Sequence, residues 1–489
     1  MNQTTTPKLR TVHSYLDEVP SGLDGAAKVP ITSMQRLIFI LASTGKLFEG
    51  LVIFMTGMAL PLIIEDLSLT ATQAGLVTAS SLGGILFGAL FLGTLSDRLG
   101  RKAMFVAEMV IFTAFLVGFT FSTNLAWLLV CSVGMGLALG CDYPTAHLML
   151  SETSSSRGRS RSVLGAFAFQ AVGAVTGALV AVIVLSVATP SVSSWRIMFG
   201  IAIIPAAVVT IGRFFSAKSP HWLLTKGRVP EAEHALARIL YRSSGPLPEV
   251  HLAPLPPEAT ERAHYTDLFR PDKSLRATTL ASVPWFLQDL STYGIGIFTP
   301  VIIAVALGST DGLPLGEDDV VHEVVHQSLV GAQGALIVDA FLIVGILVAI
   351  RYVNRLGSIF MQIAGFIGCA IGLALAAVSD FVTIPALQTI LVFIGFILFQ
   401  FMTNAGPNAQ TYLIAGEVFP TALRGSGAGF AAACGKAGAV LTAFLFPMLL
   451  DSYGHTPVLF ALVICSLLGA LVTSRFRIDS TGKSLETLH

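Results

Sequence analysis

Charge is what this sequence has least of. Asp, Glu, Lys and Arg make up 12% of its 489 residues, 29 basic against 29 acidic, with a formal net charge of 0. A soluble domain carries about 25% charged residues. The deficit excludes a water-wetted surface for a chain this long, and with it a cytosolic globular enzyme. The balance of signs leaves no basic footprint for a nucleic-acid partner. Cysteine is scarce as well. Cys131, Cys141, Cys369, Cys434 and Cys465 all fall in apolar stretches, without the spacing of a disulfide framework or a metal site. No phosphate-cradling loop ending in Gly-Lys-Ser/Thr occurs, so direct ATP drive is not indicated. Residues 1–33 lack the short apolar region and small-residue cleavage site of a signal peptide, and none is expected.

What is present is apolar length. Hydrophobic residues reach 54%, mean hydropathy is +0.76, and there are 46 Gly. A bilayer core needs about 20 apolar residues per helix. Such runs recur at roughly 37–64, 72–95, 103–121, 125–149, 163–188 and 196–215, then at 277–306, 327–350, 358–378, 383–416, 425–450 and 456–474. The expectation is an all-α membrane protein with twelve transmembrane helices in two six-helix bundles. The divisions are a tail at 1–36, a bundle at 37–215, a linker at 216–275, a bundle at 276–475 and a tail at 476–489. Basic residues mark cytoplasmic loops. With both termini inside, 26 of the 29 basic residues collect there, Arg213 among them, and only Arg196 is left outside. The plasma (inner) membrane is the expected location. Pro230 to Leu240 reads as an amphipathic helix opening with Pro and acids. The Pro-bearing stretch 246–257 reads as linker, and the acidic segment 311–323 as a solvated loop or a short surface helix.

The halves repeat each other. Gly93-Thr-Leu-Ser-Asp97-Arg98-Leu-Gly100-Arg101-Lys102 follows the second span, and Asn354-Arg355-Leu-Gly357 follows the eighth. Glu152 with Arg157-Gly158 ends the fourth span, and Glu417 with Arg424-Gly425 ends the tenth. Parallel six-helix repeats imply a substrate site near the midplane between the halves, and rocking alternating access. The Asp97 carboxylate, with Arg98, Arg101 and Lys102 beside it, suits a latch for one access state.

The stretch Gly93 to Lys102 resembles the loop signature of the major facilitator superfamily. Ser219-Pro-His-Trp-Leu223 and Gly416-Glu417-Val-Phe-Pro-Thr-Ala-Leu-Arg424-Gly425 resemble its sugar-porter-like branch. Helix 7 lacks that branch's Gln-Gln pair for hexose hydroxyls, which disfavours a sugar. Trp285-Phe-Leu-Gln-Asp289-Leu-Ser-Thr-Tyr293-Gly294 is similar to helix 7 of the proton-coupled inorganic phosphate symporters. So are Arg101 to Glu108, Asp142-Tyr143-Pro144, Gln170, Gly406-Pro407-Asn408 and Gly435-Lys436. The resemblance implies that Tyr143, Gln170, Trp285, Asp289, Tyr293, Asn408 and Lys436 bind phosphate. It further implies that Glu49, Glu108, Asp142 and Asp289 carry protons. The sequence departs from that family in helix 1, where Val52 follows Glu49 at the place of a second acid and Lys46 lies one turn before it.

Ionisable groups within spans cost roughly 2.5–3.5 kcal/mol each on the insertion scale, so each needs a reason. Trp285, Asp289 and Tyr293 are spaced i, i+4, i+8 and share one helix face. The indole N–H and phenol O–H are donors suited to an all-acceptor anion, although an aromatic packing stripe has the same spacing. Asp289 repels an anion when charged and donates to it when protonated, so proton and anion would bind as a neutralised pair. Lys436, among small residues, suits an anion counter-charge or a structural ion pair. Asn408 and Gln170 suit a ligand or a neighbouring helix equally. Glu49 can be locked by Lys46, Glu108 can pair with loop arginines, and Pro144 should kink helix 4 beside Asp142 and Tyr143. Asp339 fits a salt-bridge partner or an extra proton site, while Gln400 and Asn404 line the cavity or tie helix 10 to its neighbours.

His322-Glu323-Val-Val-His326 fits the zinc-protease form H-E-x-x-H. No third ligand is evident beside it, so no metal, cofactor or catalysis is expected. The expected function is a secondary active transporter, monomeric in the lipid bilayer, importing a small anion with protons, inorganic phosphate foremost. Rivals are symport of an organic anion or related metabolite, proton-driven export, a nutrient sensor, and a membrane protease.

Overall fold

The computed structural model describes residues 9–18, 31–92, 95–155, 159–242, 247–253, 265–270, 274–307, 317–419 and 423–478. Its first half comprises α1 (Val12–Leu16), α2 (Ser33–Leu67), α3 (Ala71–Phe87), α4 (Leu95–Leu99), α5 (Arg101–Thr120), α6 (Leu125–Thr153), α7 (Arg159–Val187), α8 (Ser194–Phe214), α9 (Pro220–Thr225) and α10 (Val229–Leu240). The second comprises α11 (Leu275–Leu307), α12 (Glu317–Leu356), α13 (Ser358–Val378), α14 (Pro385–Ala405), α15 (Pro407–Glu417), α16 (Arg424–Tyr453) and α17 (His455–Phe476). Among the described residues, twelve helices are long and apolar enough to cross a membrane. They are α2, α3, α5, α6, α7 and α8, then α11, α12, α13, the broken pair α14–α15, α16 and α17.

Local chemistry sets the ends of these helices. Thr32 and Thr70 cap α2 and α3 with reciprocal hydrogen bonds to Gln35 and Gln73, satisfying N–H groups that a helix start leaves bare. Gly100 and Gly357 stand at matching places in the two halves, ahead of α5 and α13, with φ of 103° and 82°. Only glycine adopts that backbone without strain, so the repeat is structural as well as sequential.

Three helices differ from their apolar runs. Residues 317–323 of the acidic segment, read from sequence as a solvated loop or a short surface helix, belong to α12 without interruption. Helix 10 breaks at Gly406, whose φ of −115° and ψ of −106° leave the helix before Pro407 restarts it. α3 ends in a π-helical turn, Gly88–Leu92. Helix 4 stays α-helical from Leu125 to Thr153 through Pro144.

Within the first half α2 packs on α7, α3 on α6, and α5 on α6 and α8. Within the second α11 packs on α16, α13 on α14 and α17, and α12 on α14. The halves meet where α3 packs on α16, α7 on α12 and α2 on α11. Thr78 donates to Ala443 O (2.7 Å) across the first of these seams. Phe167 of α7 stacks on Tyr412 of α15 with ring centroids 5.2 Å apart.

The face that carries the start of α2 also carries a small folded cap. Val12 and Leu16 of α1 join Leu223, Leu236 and Ile239 in one apolar cluster. Arg10 N donates to His251 O and Ala253 N to Arg10 O, both at 3.0 Å. Residues 247–253, expected as bare linker, therefore run beside the N-terminal segment.

Candidate functional site

Four charged side chains and a phenol converge between the halves. Glu49 of α2 is 1% exposed and Lys436 of α16 is 4% exposed, so neither charge has water to stabilise it and each needs partners. Lys436 Nζ lies 3.4 Å from Glu49 Oε1 and 3.4 Å from Asp289 Oδ2. It also donates to Tyr293 OH at 2.5 Å. Tyr293 OH donates to Glu49 Oε1 (3.1 Å), and Gln170 Nε2 of α7 donates to Tyr293 OH (3.1 Å). Lys46 Nζ closes the other side of Glu49, at 2.8 Å from Oε2.

The cluster draws on α2, α7, α11 and α16, and so on both halves. Two lysines balance two carboxylates, which gives it no formal net charge. Asp289 Oδ2 nevertheless lacks a hydrogen bond. The i, i+4, i+8 face of α11 is real in space: Trp285, Asp289 and Tyr293 are all buried. Trp285 meets Tyr412 edge-on at 6.2 Å. Gly435 makes room for its indole, since a Cβ there would come within 2.7 Å of Nε1.

A second charged cluster lies within the first half. Arg213 of α8 is 0% exposed, which corrects its assignment to a cytoplasmic loop. Its Nη2 sits 2.8 Å from Asp142 Oδ1, and its Nη1 bonds Glu108. The same guanidinium donates to Phe105 O (2.8 Å) and Leu41 O (3.2 Å). One cation thus serves two acids, leaving Glu108 Oε2 and Asp142 Oδ2 without hydrogen bonds among the described residues. Sequence reasoning missed Arg213 because two phenylalanines follow it at the very end of an apolar run. Charge balance was the available signal: Glu49, Glu108 and Asp142 in one bundle outnumber Lys46.

The third polar group belongs to the second half. Asn408 Nδ2 of α15 donates to Asn404 Oδ1 (2.6 Å), and Gln288 Nε2 donates to Asn408 Oδ1 (3.1 Å) and Thr292 Oγ1 (2.8 Å). Thr292 in turn meets Thr403 at 2.9 Å. Asn408 therefore ties the Gly406 break to α11. Gln288, Thr292 and Thr403 were not singled out from sequence, although the first two lie within the helix 7 motif itself.

Several expected site residues lie apart from these groups. Glu152 of α6 lies 3.7 Å from Arg101 Nε and accepts from Ser219 Oγ ahead of α9. Lys102 Nζ donates to Phe214 O (2.7 Å), Arg98 is exposed, and Glu417 ends α15. Gly93 and Arg157, and the side chains of Tyr143, Asp97 and Arg424, fall outside the described residues. His322 and His326 lie on the first turns of α12. Among the described residues no three His, Cys, Asp or Glu side chains group as metal ligands.

Residues 37–489 match the protein family described as Sugar (and other) transporter. The inner membrane metabolite transport protein YgcS of Escherichia coli is 29% identical over 445 residues, covering 91% of this chain and 92% of its own length. A Schizosaccharomyces pombe protein, provisionally named an inorganic phosphate transporter, is 26% identical over 450 residues, 82% of this chain and 76% of that one. Among solved structures, the Escherichia coli proton:xylose symporter XylE bound to 6-bromo-6-deoxy-D-glucose superposes with a TM-score of 0.72 at 18% identity. It covers 93% of this chain and 98% of its own. The twelve helices thus adopt the major facilitator fold.

Proposed function

This chain belongs to the Sugar (and other) transporter family, and from that premise we propose that it is a proton-coupled symporter importing a small anion, inorganic phosphate foremost. The observation that carries the reading is the position of Lys436, held between Asp289, Glu49 and Tyr293 where the two halves meet. A buried cluster with balanced charge cannot accept an anion alone, because the added charge has no counter-ion and little water. Protonating Asp289 removes that obstacle. It releases Lys436 from one of its two carboxylates and turns the Asp289 carboxyl from an acceptor into a donor. The ammonium, the Tyr293 hydroxyl, the Gln170 amide and the protonated Asp289 then all present hydrogens to an oxyanion. Proton and anion enter as a pair, and neither binds well without the other.

The Arg213 group supplies the further proton positions. Glu108 and Asp142 share one guanidinium, so a single added proton makes the trio neutral, and its loss toward the basic face returns the empty carrier. The basic-residue bias supports both termini in the cytoplasm, and moving Arg213 into α8 subtracts only one residue from it. A plasma (inner) membrane location and a monomer complete the proposal.

A second reading is symport of an organic anion. The relative named as a metabolite transport protein favours it, and a carboxylate would use the same ammonium and hydroxyl. The deciding experiment is uptake of labelled phosphate into proteoliposomes under an acid-outside gradient, with a protonophore control. Accumulation that collapses with the protonophore is expected. Absence of uptake in folded, oriented protein, with uptake of a carboxylate under the same gradient, would transfer the proposal to organic anions.

A further inference from the structure

Asp339 lies midway along α12, 0% exposed, in a helix that is otherwise apolar through this region. Its Oδ1 accepts from Gln400 Nε2 of α14 at 2.6 Å. Among the described residues its Oδ2 has no hydrogen-bond partner, and neither does the oxygen of the same amide, Gln400 Oε1. The helices packed against α12 are α2, α7, α11, α13 and α14. The helices α13 (Ser358–Val378) and α14 (Pro385–Ala405) contain no charged residue, and neither does α7 from Ser162 onward. On α2 and α11 the charged and titratable groups within the membrane are Lys46, Glu49, Asp289 and Tyr293, all of which bond to one another or to Lys436 in the central cluster. On α12 itself, His322 and His326 lie more than three turns away toward one end, and Arg351 and Arg355 as far toward the other.

An ionised carboxylate in this position would stand in the apolar protein interior with one amide hydrogen bond and, among the described residues, no cation, an arrangement far costlier than that bond repays. A proton on Oδ2 changes the account. It cancels the charge and offers a donor to the amide already bonded to Oδ1, whose own oxygen, Gln400 Oε1, also lacks a partner among the described residues. A single proton can therefore satisfy both orphaned atoms and convert the contact into an acid–amide pair. We propose that Asp339 and Gln400 form a proton-binding site inside the second half, separate from the central cluster and occupied at neutral pH. The site joins α12 to α14 close to the Gly406 break. One turn further along, Asn404 Nδ2 donates to Leu342 O (2.9 Å) and begins the run of amides through Asn408 to Gln288. That run ends on α11 at Gln288, the residue before Asp289 in sequence.

The test needs no transport assay, so it stands or falls apart from phosphate symport. Infrared difference spectra of the protein in lipid nanodiscs at neutral pH would compare the wild type with Asp339→Asn, in H2O and in D2O. The expected result is a protonated-carboxyl carbonyl band in the wild type that shifts in D2O and is missing from the variant. Identical spectra in this region overturn the proposal, because they mean that Asp339 is ionised. So does a band that vanishes when sodium chloride replaces choline chloride, which would make the pair a sodium site. Should Asp339→Asn fail to fold, Gln400→Met serves instead: the wild-type band should persist and move as the carbonyl loses its amide donor, and an unmoved spectrum overturns the pairing. Thermal melts give an independent readout. A carboxyl protonated in the folded state titrates near about 4 when unfolded, so rising pH favours unfolding of the wild type. Its melting temperature should fall relative to Asp339→Asn as pH rises from about 5, and a gap constant with pH counts against the site.

Discussion

Asp289 and Arg213 make opposite demands on their surroundings. Asp289 shares Lys436 with Glu49 and keeps one oxygen free of hydrogen bonds, which suits a group that must gain and lose a proton. Asp289→Asn cannot titrate. It should abolish proton-driven accumulation of labelled phosphate in proteoliposomes while preserving counterflow exchange, which needs binding but no net proton movement; full accumulation would sink the coupling scheme. Arg213 instead holds two buried acids and two backbone carbonyls together. Arg213→Met leaves both acids uncompensated and should cost about 3–5 kcal/mol of stability. Thermal melts in detergent would measure the loss. Adding Asp142→Asn removes one stranded charge, so the double variant should melt higher than Arg213→Met alone. The aspartate on α11 was visible in the sequence, because i, i+4, i+8 spacing is a property of one helix. The arginine was not, because its burial depends on how α8 lies against α5 and α2.

At the scale of elements, the break between α14 and α15 is the feature a hydropathy run conceals. Gly406 and Gly365 pack backbone to backbone: a Cβ on Gly406 would meet Gly365 Cα at 2.5 Å and Met361 O at 2.7 Å. Those neighbours are backbone atoms of α13 and cannot rotate away. Gly406→Ala should therefore destabilise the protein by about 1–3 kcal/mol, and it should slow transport by prising α14 from α13. A melting temperature equal to wild type would show that the two helices are free to separate here. The extension of α12 back to Glu317 has a different origin. Its first turns are too polar to register as membrane span, yet they carry no breaker, so the helix grows outward from the apolar part.

For the whole molecule, an even number of spans places the start of α2 and the end of α17 on one face, the face that bears the α1–α9–α10 cap. Orientation then follows from charge. A fluorescent protein fused after His489 should fluoresce in bacterial cells, and alkaline phosphatase fused at the same point should stay inactive. The reverse pattern would invert the topology and with it the assigned direction of proton flow. The seams of α3 with α16, α7 with α12 and α2 with α11 join the halves, and the central cluster spans them. In the proposed mechanism, alternating access requires those seams to part and re-form around Lys436.

Twelve spans, two matching halves and the polar face of α11 were determined by the sequence alone, because apolar length and helical spacing are local quantities. Gly100 and Gly357 were likewise legible as a repeat, and the backbone explains why both are glycine. Only the tertiary structure decided that Lys436 reaches acids from both halves, that Arg213 is interior, and that Asp339 faces Gln400 without a cation. Helices apolar on nearly every side carry little sequence signal about which face turns inward, so partners hundreds of residues apart are chosen by packing rather than by pattern.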